Sequence, residues 1–479
     1  MVKTVVGEET QLKPLEDRLF GSGIPPAEVG LIIGKLSPNS DRGLVYALIA
    51  TPPTDGGGPA CSLRSEGEKR KAGSKGGKSS METAPTLVID GDWVAEHARQ
   101  VSRMLLGGMD VVGVYVWASE GSFKATPPAV LSQVVRGVAQ ASPWYDSGFD
   151  ERLLIHISYS PRRWVCRICT LGSSSQRPCD FKMGKLLASV QAFRCMYNFE
   201  IRLPIFQVGP LNSNTFKNAI FKGINHLAKE VRSAKALVDG DLVLEDLCTK
   251  SEGLHEVELL SPFKEDVPAE ACSSEEVAGL VVFNGSVCAS AYLGPRESVS
   301  EAISNIKADI ITSLRSRLDI IAEEVEGQEA RASEECADAS AEKSIHQLIL
   351  HELRKPCSLS FPRRVLVPWS SGIYVCDYLQ PSETLEDTKD RCKEMLSMEA
   401  PIETSAILEL EAVMAPVTIQ SFWDVVNGDS ATIINYSEKG ESSSEQKDIG
   451  KSKGRNLNFL GAIFFLLLAL LVGFVITSH

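Results

Sequence analysis

Histidine is scarce in this chain, with seven residues in 479, and the seven are dispersed. The nearest two, His346 and His351 in AEKSIHQLILHELRK, stand five apart. A zinc-binding helix needs i, i+4 spacing to bring both imidazoles to one face, so they make no metal pair. Basic residues are also short: 49 Lys and Arg against 62 Asp and Glu give a net charge of −13. A phosphate-binding surface needs a basic excess, so nucleic acid is not expected as a partner. The first twenty residues, MVKTVVGEETQLKPLEDRLF, lack an apolar run long enough for a signal peptide, which places the bulk of the chain in the cytosol. The twelve cysteines are scattered rather than clustered. That argues against a disulfide framework and for a reducing compartment, where cysteine acts as a small apolar residue. Phosphate-binding glycine loops are missing as well, because SKGGKSS lacks the strand before and helix after that a P-loop requires.

What is present begins with bulk. Hydrophobic content of 43% and charged content of 23% describe a globular protein long enough for two or three cores. Near the end, LNFLGAIFFLLLALLVGFVI runs from Leu457 to Ile476 without a charge. As a helix it would span about 30 Å, roughly one hydrocarbon core. Leu457, Phe459, Phe464, Leu467, Leu471, Phe474 and Ile476 are its expected lipid contacts. The preceding Lys447, Lys451, Lys453 and Arg455 put the large domain on the cytosolic side. The expectation is a tail anchor, its short span suited to the endoplasmic reticulum.

The pattern upstream predicts mixed-sheet α/β (α+β) domains. AEVGLIIGKL and GLVYALIATPP read as paired strands, followed by a basic, glycine-rich insertion over 54–84. DWVAEHARQVSRMLLGG reads as a helix ending at Gly107 and Gly108, and DVVGVYVW as the strand after it. RLLIHISYS and RWVCRICTL predict a hairpin, and a strand at NFEIRLPIF with a helix beyond it completes a first domain over 1–251. A second domain over 265–400 is expected to open with two strands flanking Asn284-Gly285, a two-residue hairpin signal. Its helix carries Val299, Ile303, Ile306, Ile310, Leu314, Leu318 and Ile321 on one stripe. FPRRVLVPWSSGIYVCDYL and a helix starting near Ser382 close it, before a polar tether over 401–456.

Candidate chemistry is thin. Cys166 and Cys169 form CRIC, with Cys179 and Cys195 not far off, but positions three apart on a strand face opposite sides and cannot share one zinc. His97 and His156, or Cys195 with a histidine, lack any activating sequence around them, and His97 is expected on a helix surface. Asn284 and Asn435 head glycosylation sequons, yet a cytosolic body leaves both unmodified.

EVGLIIGK (Glu28 to Lys35), a paired strand, an insertion, a helix and VVGVYVW together resemble the MPN (Mov34-type) fold. Active members of that fold are zinc-dependent deubiquitinases. The resemblance implies that Glu28 stands at the catalytic glutamate and that Gly113 and Tyr115 match the glycine and aromatic before the first histidine. The metal positions then hold Val116 and Ala118, neither a ligand, so the resemblance implies a dead site with no cofactor, since catalytic zinc needs three protein ligands. Over most of its length the chain is also similar to the ODR-four (odorant response abnormal protein four) homolog family. The stretches that carry this are GLIIGK, DWVAEHARQVSRMLLGGMDVVGVYVW, RLLIHISYSPRRWVCRI, FPRRVLVPWSSGIYVCDYL and SETLEDTKDRCKEML, with the terminal span. That resemblance implies a non-catalytic adaptor at the endoplasmic reticulum membrane, assisting the folding or trafficking of receptor cargo. It also implies a partner, the protease of the ubiquitin-fold modifier, engaged as an MPN-type heterodimer. A membrane-anchored hydrolase with an unrecognised site is the competing expectation.

Overall fold

The computed structural model describes residues 2–38, 40–64, 84–142, 150–173, 175–206, 216–243, 253–261, 277–294, 297–335, 361–370, 372–398, 401–412 and 418–421. All of them fall in one unit, Met1–Val426. The anchor expected at 457–476, the later part of the tether, the stretch 65–83, Asn435, His346 and His351 lie outside the described residues. Among the described residues no helix is long and apolar enough to cross a membrane.

Seven strands close a barrel: β1 (Thr4–Glu8), β2 (Glu28–Lys35), β3 (Arg42–Ala50), β6 (Asp110–Trp117), β7 (Glu151–Tyr159), β8 (Arg162–Thr170) and β9 (Gln176–Gly184). They are ordered β1-β3-β2-β6-β7-β8-β9, and β1 closes the ring by pairing parallel with both β3 and β9. Helix α1 (Glu9–Leu19) packs Leu12 and Leu19 against Ile32, Tyr115, Trp117 and Ile155, filling one face of this wall. On the other face lie α2 (Gly91–Met104), α3 (Glu120–Ala125) and α4 (Pro128–Ala141). Asp90 caps α2 by accepting from Trp93 N at 3.0 Å, and Val94, Ala98, Val101 and Met104 recur at helical spacing to form its buried stripe. Ser119 caps α3 the same way, and Pro128 opens α4, where its missing N–H costs nothing.

A six-stranded sheet, ordered β12-β11-β13-β10-β14-β17, forms the second half. Its strands are β10 (Gln191–Phe206), β11 (Lys235–Val238), β12 (Asp241–Leu242), β13 (Leu254–Leu260), β14 (Val277–Leu293) and β17 (Thr418–Ser421). Helices α5 (Phe216–Ser233) and α6 (Val299–Glu335) cover one face, where Val299, Ile303, Ile306, Ile310, Leu314 and Leu318 of the expected stripe are buried, the Ile321 side chain lying outside the described ones. The hairpin β15 (Arg363–Ser370) and β16 (Ile373–Leu379) and helix α7 (Leu385–Leu396) pack instead into the core shared with α2.

Several expectations change. Asn284-Gly285 makes no hairpin: β14 runs straight through it, with Asn284 opposite Glu200 and Gly285 opposite Phe199. The long antiparallel partner β10 supplies ladder bonds on both sides of the pair, which outweighs the local turn preference. The expected boundary after residue 251 also cuts this sheet, since β10, β11 and β14 are drawn from both sides of it. Within 54–84, Cys61–Arg64 (β4) pairs with Thr86–Ile89 (β5), so the insertion leaves and returns through a two-stranded ladder. The tether begins later than 401: Leu366 and Leu408 form a bridge, Glu411 is buried, and β17 joins β14. Finally, α7 starts with a capping box between Thr384 and Asp387, two residues past Ser382.

Candidate functional site

Strand β6 lies between β2 and β7, and its two faces serve different cores. In register with β2, Glu28 opposes Trp117, Val29 opposes Val116 and Gly30 opposes Tyr115. Both glycines of the motif are close-approach positions. A Cβ on Gly113 would stand 2.0 Å from the Leu153 carbonyl oxygen, and one on Gly30 would fall 2.1 Å from that of Ile49 and 2.4 Å from the Tyr115 ring. The Tyr115 ring is thus laid over the bare backbone of Gly30, while Gly113 lets β7 approach β6 closely. Val112 is an extra residue between the register pairs Ile33–Val111 and Ile32–Gly113, a bulge that resets which side chains face which core.

The three expected site positions separate accordingly. Tyr115 and Trp117 sit in the core under α1, whereas Val116 and Ala118 sit fully buried in the core under α2 and α4. Glu28 joins the first group. Its carboxylate accepts two bonds from the Arg18 guanidinium at 3.0 and 2.7 Å, and the Tyr115 hydroxyl donates to it at 2.7 Å. A bidentate guanidinium pair of this kind consumes both oxygens with directional, charge-assisted bonds. The bonds to Glu28 raise the Arg18 pKa, and burial, aided by Glu28, pushes the Tyr115 phenol well above its ordinary value. Arg18 therefore stays charged and Tyr115 stays a neutral donor. The arrangement is an ion pair between α1 and the start of β2. It leaves no carboxylate poised over Val116 or Ala118.

Beside Glu28 an open cleft of about 550 Å³ is lined by Pro25, Pro52, Pro53 and Cys61, with Asp390, Lys393 and Glu394 of α7. Its walls are mostly apolar and proline-rich, and neither Val116 nor Ala118 contributes to it. A second, more polar cleft of about 540 Å³ lies between the ends of β2, α2 and β6 and helix α6, where Asp110 is pushed up to about 6 by burial. Lys35 lines it and pairs with Glu297 at 2.7 Å.

His97 and His156 stay apart, and each ties neighbouring elements together. His97 is buried rather than on a helix surface: Nε2 bonds the Met395 carbonyl at 2.8 Å and Nδ1 the Thr51 hydroxyl at 3.3 Å, so it ties α2 to the end of α7. Three residues after Val94 and four before Val101, it falls on the apolar stripe itself, and α7 returns from nearly 300 residues later to cover that flank. His156 lies beside Val116 in the β6–β7 register, with Nε2 donating to the Ala118 carbonyl at 3.2 Å and its ring stacked on Phe123 at 3.9 Å. Burial pushes it down to about 4, with Arg167 and Arg163 opposing protonation further. Cys166 faces the α1 core and Cys169 the α2 core, the opposite orientation that alternation along a strand requires. Cys195 is buried in a third core, under α5 and α6. Among the described residues no group of three or more His, Cys, Asp or Glu is placed to hold a metal ion.

Sequence reasoning missed the most conspicuous polar cluster. Arg317 bonds both oxygens of Glu411 at 2.7 Å, and Arg364 bonds both oxygens of Asp309 at 2.7 and 2.8 Å, with all four side chains buried. The available signal was Asp309, Ser313 and Arg317, spaced four apart beside the apolar stripe of α6.

Compared with known proteins, residues 30–407 match the model of the ODR4-like family, described as odorant response abnormal 4-like. The odr-4 homolog of Mus musculus is 25% identical over 506 residues, covering 99% of each chain. That of Homo sapiens is 25% identical over 441 residues and 85% of each chain, and that of Dictyostelium discoideum 22% over 323 residues and 65% of each. The crystal structure of UfSP from C. elegans covers 84% of this chain and 58% of its own at 7% identity. Its TM-score of 0.38 is too low to carry an argument.

Proposed function

Because the chain belongs to the odorant response abnormal 4-like family, we propose that it works as a non-catalytic adaptor on the cytosolic face of the endoplasmic reticulum. In this reading it assists the folding or trafficking of membrane-protein cargo and recruits a protease of the ubiquitin-fold-modifier system. The observation that carries the non-catalytic part is the fate of Glu28. Its carboxylate is held by Arg18 and Tyr115, while Val116 and Ala118 are buried in another core. A zinc-dependent hydrolase of the MPN type needs a free glutamate beside three converging ligands, and these residues supply neither. The apolar span Leu457–Ile476 supports the membrane part, since anchoring raises the local concentration of a recruited partner without any catalysis.

The test uses the full chain and a form lacking residues 457–476. The deletion is expected to move the protein from the membrane to the soluble fraction while it still retains the protease in a pull-down. Loss of protease binding on deletion would count against the adaptor reading. Stoichiometric zinc in the purified chain, or cleavage of a modifier conjugate by this chain alone, would replace it with the hydrolase reading.

A further inference from the structure

The antiparallel register of β8 and β9 sets Cys166 directly opposite Cys179. Directly opposed residues hold their Cβ atoms about 4.5–5.5 Å apart. A disulfide needs roughly 3.5–4.5 Å. Side-chain rotation and a small approach of the strands therefore suffice to join the two sulfurs, without rebuilding either strand. Cys169, three residues on, faces the other core and cannot compete for the same partner.

The two thiols are unequal in a way that suits sequential chemistry. Cys166 is 2% exposed, within the core under α1. Cys179 is half-buried at the seam where β9 meets β1, and its Sγ donates to the Lys3 carbonyl at 3.1 Å. Arg177 lies two residues before it on the same face of β9, fixed by bonds to the Val2 carbonyl at 2.7 Å and to Glu151 at 2.5 Å. The bond from Cys166, and after it the positive charge of Arg177, favour the thiolate of Cys179, while the bond to Cys179 and burial keep Cys166 protonated. A nucleophilic thiol with access to solvent, backed by a buried thiol, is the arrangement of a reactive and a resolving cysteine.

We propose that Cys166 and Cys179 are a reversible two-electron redox pair, oxidised to a cross-strand disulfide by a hydroperoxide. The Cys179 thiolate attacks one peroxide oxygen, the O–O bond breaks, and the leaving hydroxide takes a proton to become water. Cys179 is then a sulfenic acid. The Cys166 sulfur attacks the Cys179 sulfur, the S–S bond forms, and the departing hydroxide takes the Cys166 proton as a second water. Two thiols and one hydrogen peroxide give one disulfide and two waters, and a dithiol reductant reverses the change.

Oxidation also removes the S–H that Cys179 donates to Lys3. Its effect is therefore felt at β1, the strand that closes the barrel.

The experiment treats the reduced full-length chain with increasing hydrogen peroxide, alkylates the remaining thiols under denaturing conditions, and maps tryptic peptides by mass spectrometry. Cys179 is expected to lose its label at about ten-fold lower peroxide than the buried Cys195. A cross-link that is two hydrogens lighter should join the peptides of Cys166 and Cys179, and dithiothreitol should remove it. Because Arg177 precedes Pro178, trypsin leaves Cys169 and Cys179 on one peptide. The cross-link must therefore persist in Cys169→Ser and vanish in Cys179→Ser. Conversion of Cys179 to the sulfinic acid with Cys166 still alkylated, or a link that survives Cys179→Ser, would overturn the proposal.

Discussion

His156 shows how a single buried side chain sets a pH response. Its imidazole is packed on Phe123, donates to the Ala118 carbonyl, and faces Arg163, Arg167 and Glu120. Burial lowers its pKa from 6.5 to about 4. Below pH 6.5 the unfolded chain takes up a proton that the folded protein refuses until about pH 4, so stability falls as pH drops through that window. At about 1.4 kcal/mol per unit, the loss amounts to roughly 3 kcal/mol. His156→Gln, which retains a donor toward Ala118, is expected to flatten the dependence of Tm on pH between 6.5 and 4 relative to the unaltered chain. Equal slopes would show that His156 is not the titrating group. His97, also lowered by burial, adds a slope of the same sign to both proteins. Of these residue-level facts, the strand of Tyr115 and the glycine before it were legible from pattern. The partners were not. Arg18 sits on a helix whose apolar face, Leu12, Leu15 and Leu19, is readable from its spacing, but nothing in the sequence announced that the arginine would reach Glu28.

At the level of elements, the turn between α2 and β6 does more than end a helix. Gly107 N donates to the Ser290 carbonyl at 2.9 Å, and its own carbonyl accepts from Tyr292 N at 3.0 Å, so the turn docks as a short parallel bridge on β14. A Cβ on Gly107 would lie 2.6 Å from the Asn305 carbonyl oxygen of α6, a backbone atom with little freedom to move. Gly107→Ala is therefore expected to cost about 1–3 kcal/mol, as overpacking does, by prising this turn from α6 and β14. A lower denaturation midpoint, with faster amide exchange at Tyr292, would register it; an unchanged midpoint would mean the junction yields freely. The sequence placed a helix stop at Gly107 and Gly108, two residues beyond the observed C-cap at Leu105. It hid the docking, because backbone bridges carry no side-chain signature. The same blindness explains Asn284-Gly285, whose strong local turn signal is overruled by sixteen residues of β10 lying alongside.

Across the whole molecule, the α/β class, the hydrophobic stripes and strands β2, β3, β6, β7 and β8 were readable from periodicity, while β1 and β9, which close the barrel, and the assembly of barrel and sheet were not. Strands β10 and β14 are separated by about seventy residues in which the pattern placed a helix and a domain boundary, and periodicity says nothing about which distant strands pair. What joins their surroundings is ionic. Arg364 of β15 holds Asp309 of α6, Arg317 of α6 holds Glu411, and these carboxylates also accept backbone N–H groups of Ser290, Cys288 and Arg364. The charges cancel in pairs among side chains almost closed to solvent. Such a cluster need not exceed an apolar core in stability, but removing one partner strands the other. Arg364→Met should therefore destabilise the protein by about 3–5 kcal/mol, because Asp309 is left charged and buried. Asp309→Asn added to Arg364→Met removes that charge while keeping an acceptor for Ser290 N–H, and is expected to recover at least half of the loss. Urea unfolding at constant slope measures both variants. A double variant no more stable than Arg364→Met would mean that the guanidinium matters through its packing against Tyr378, 5.8 Å from the ring centre, rather than through the charge it neutralises.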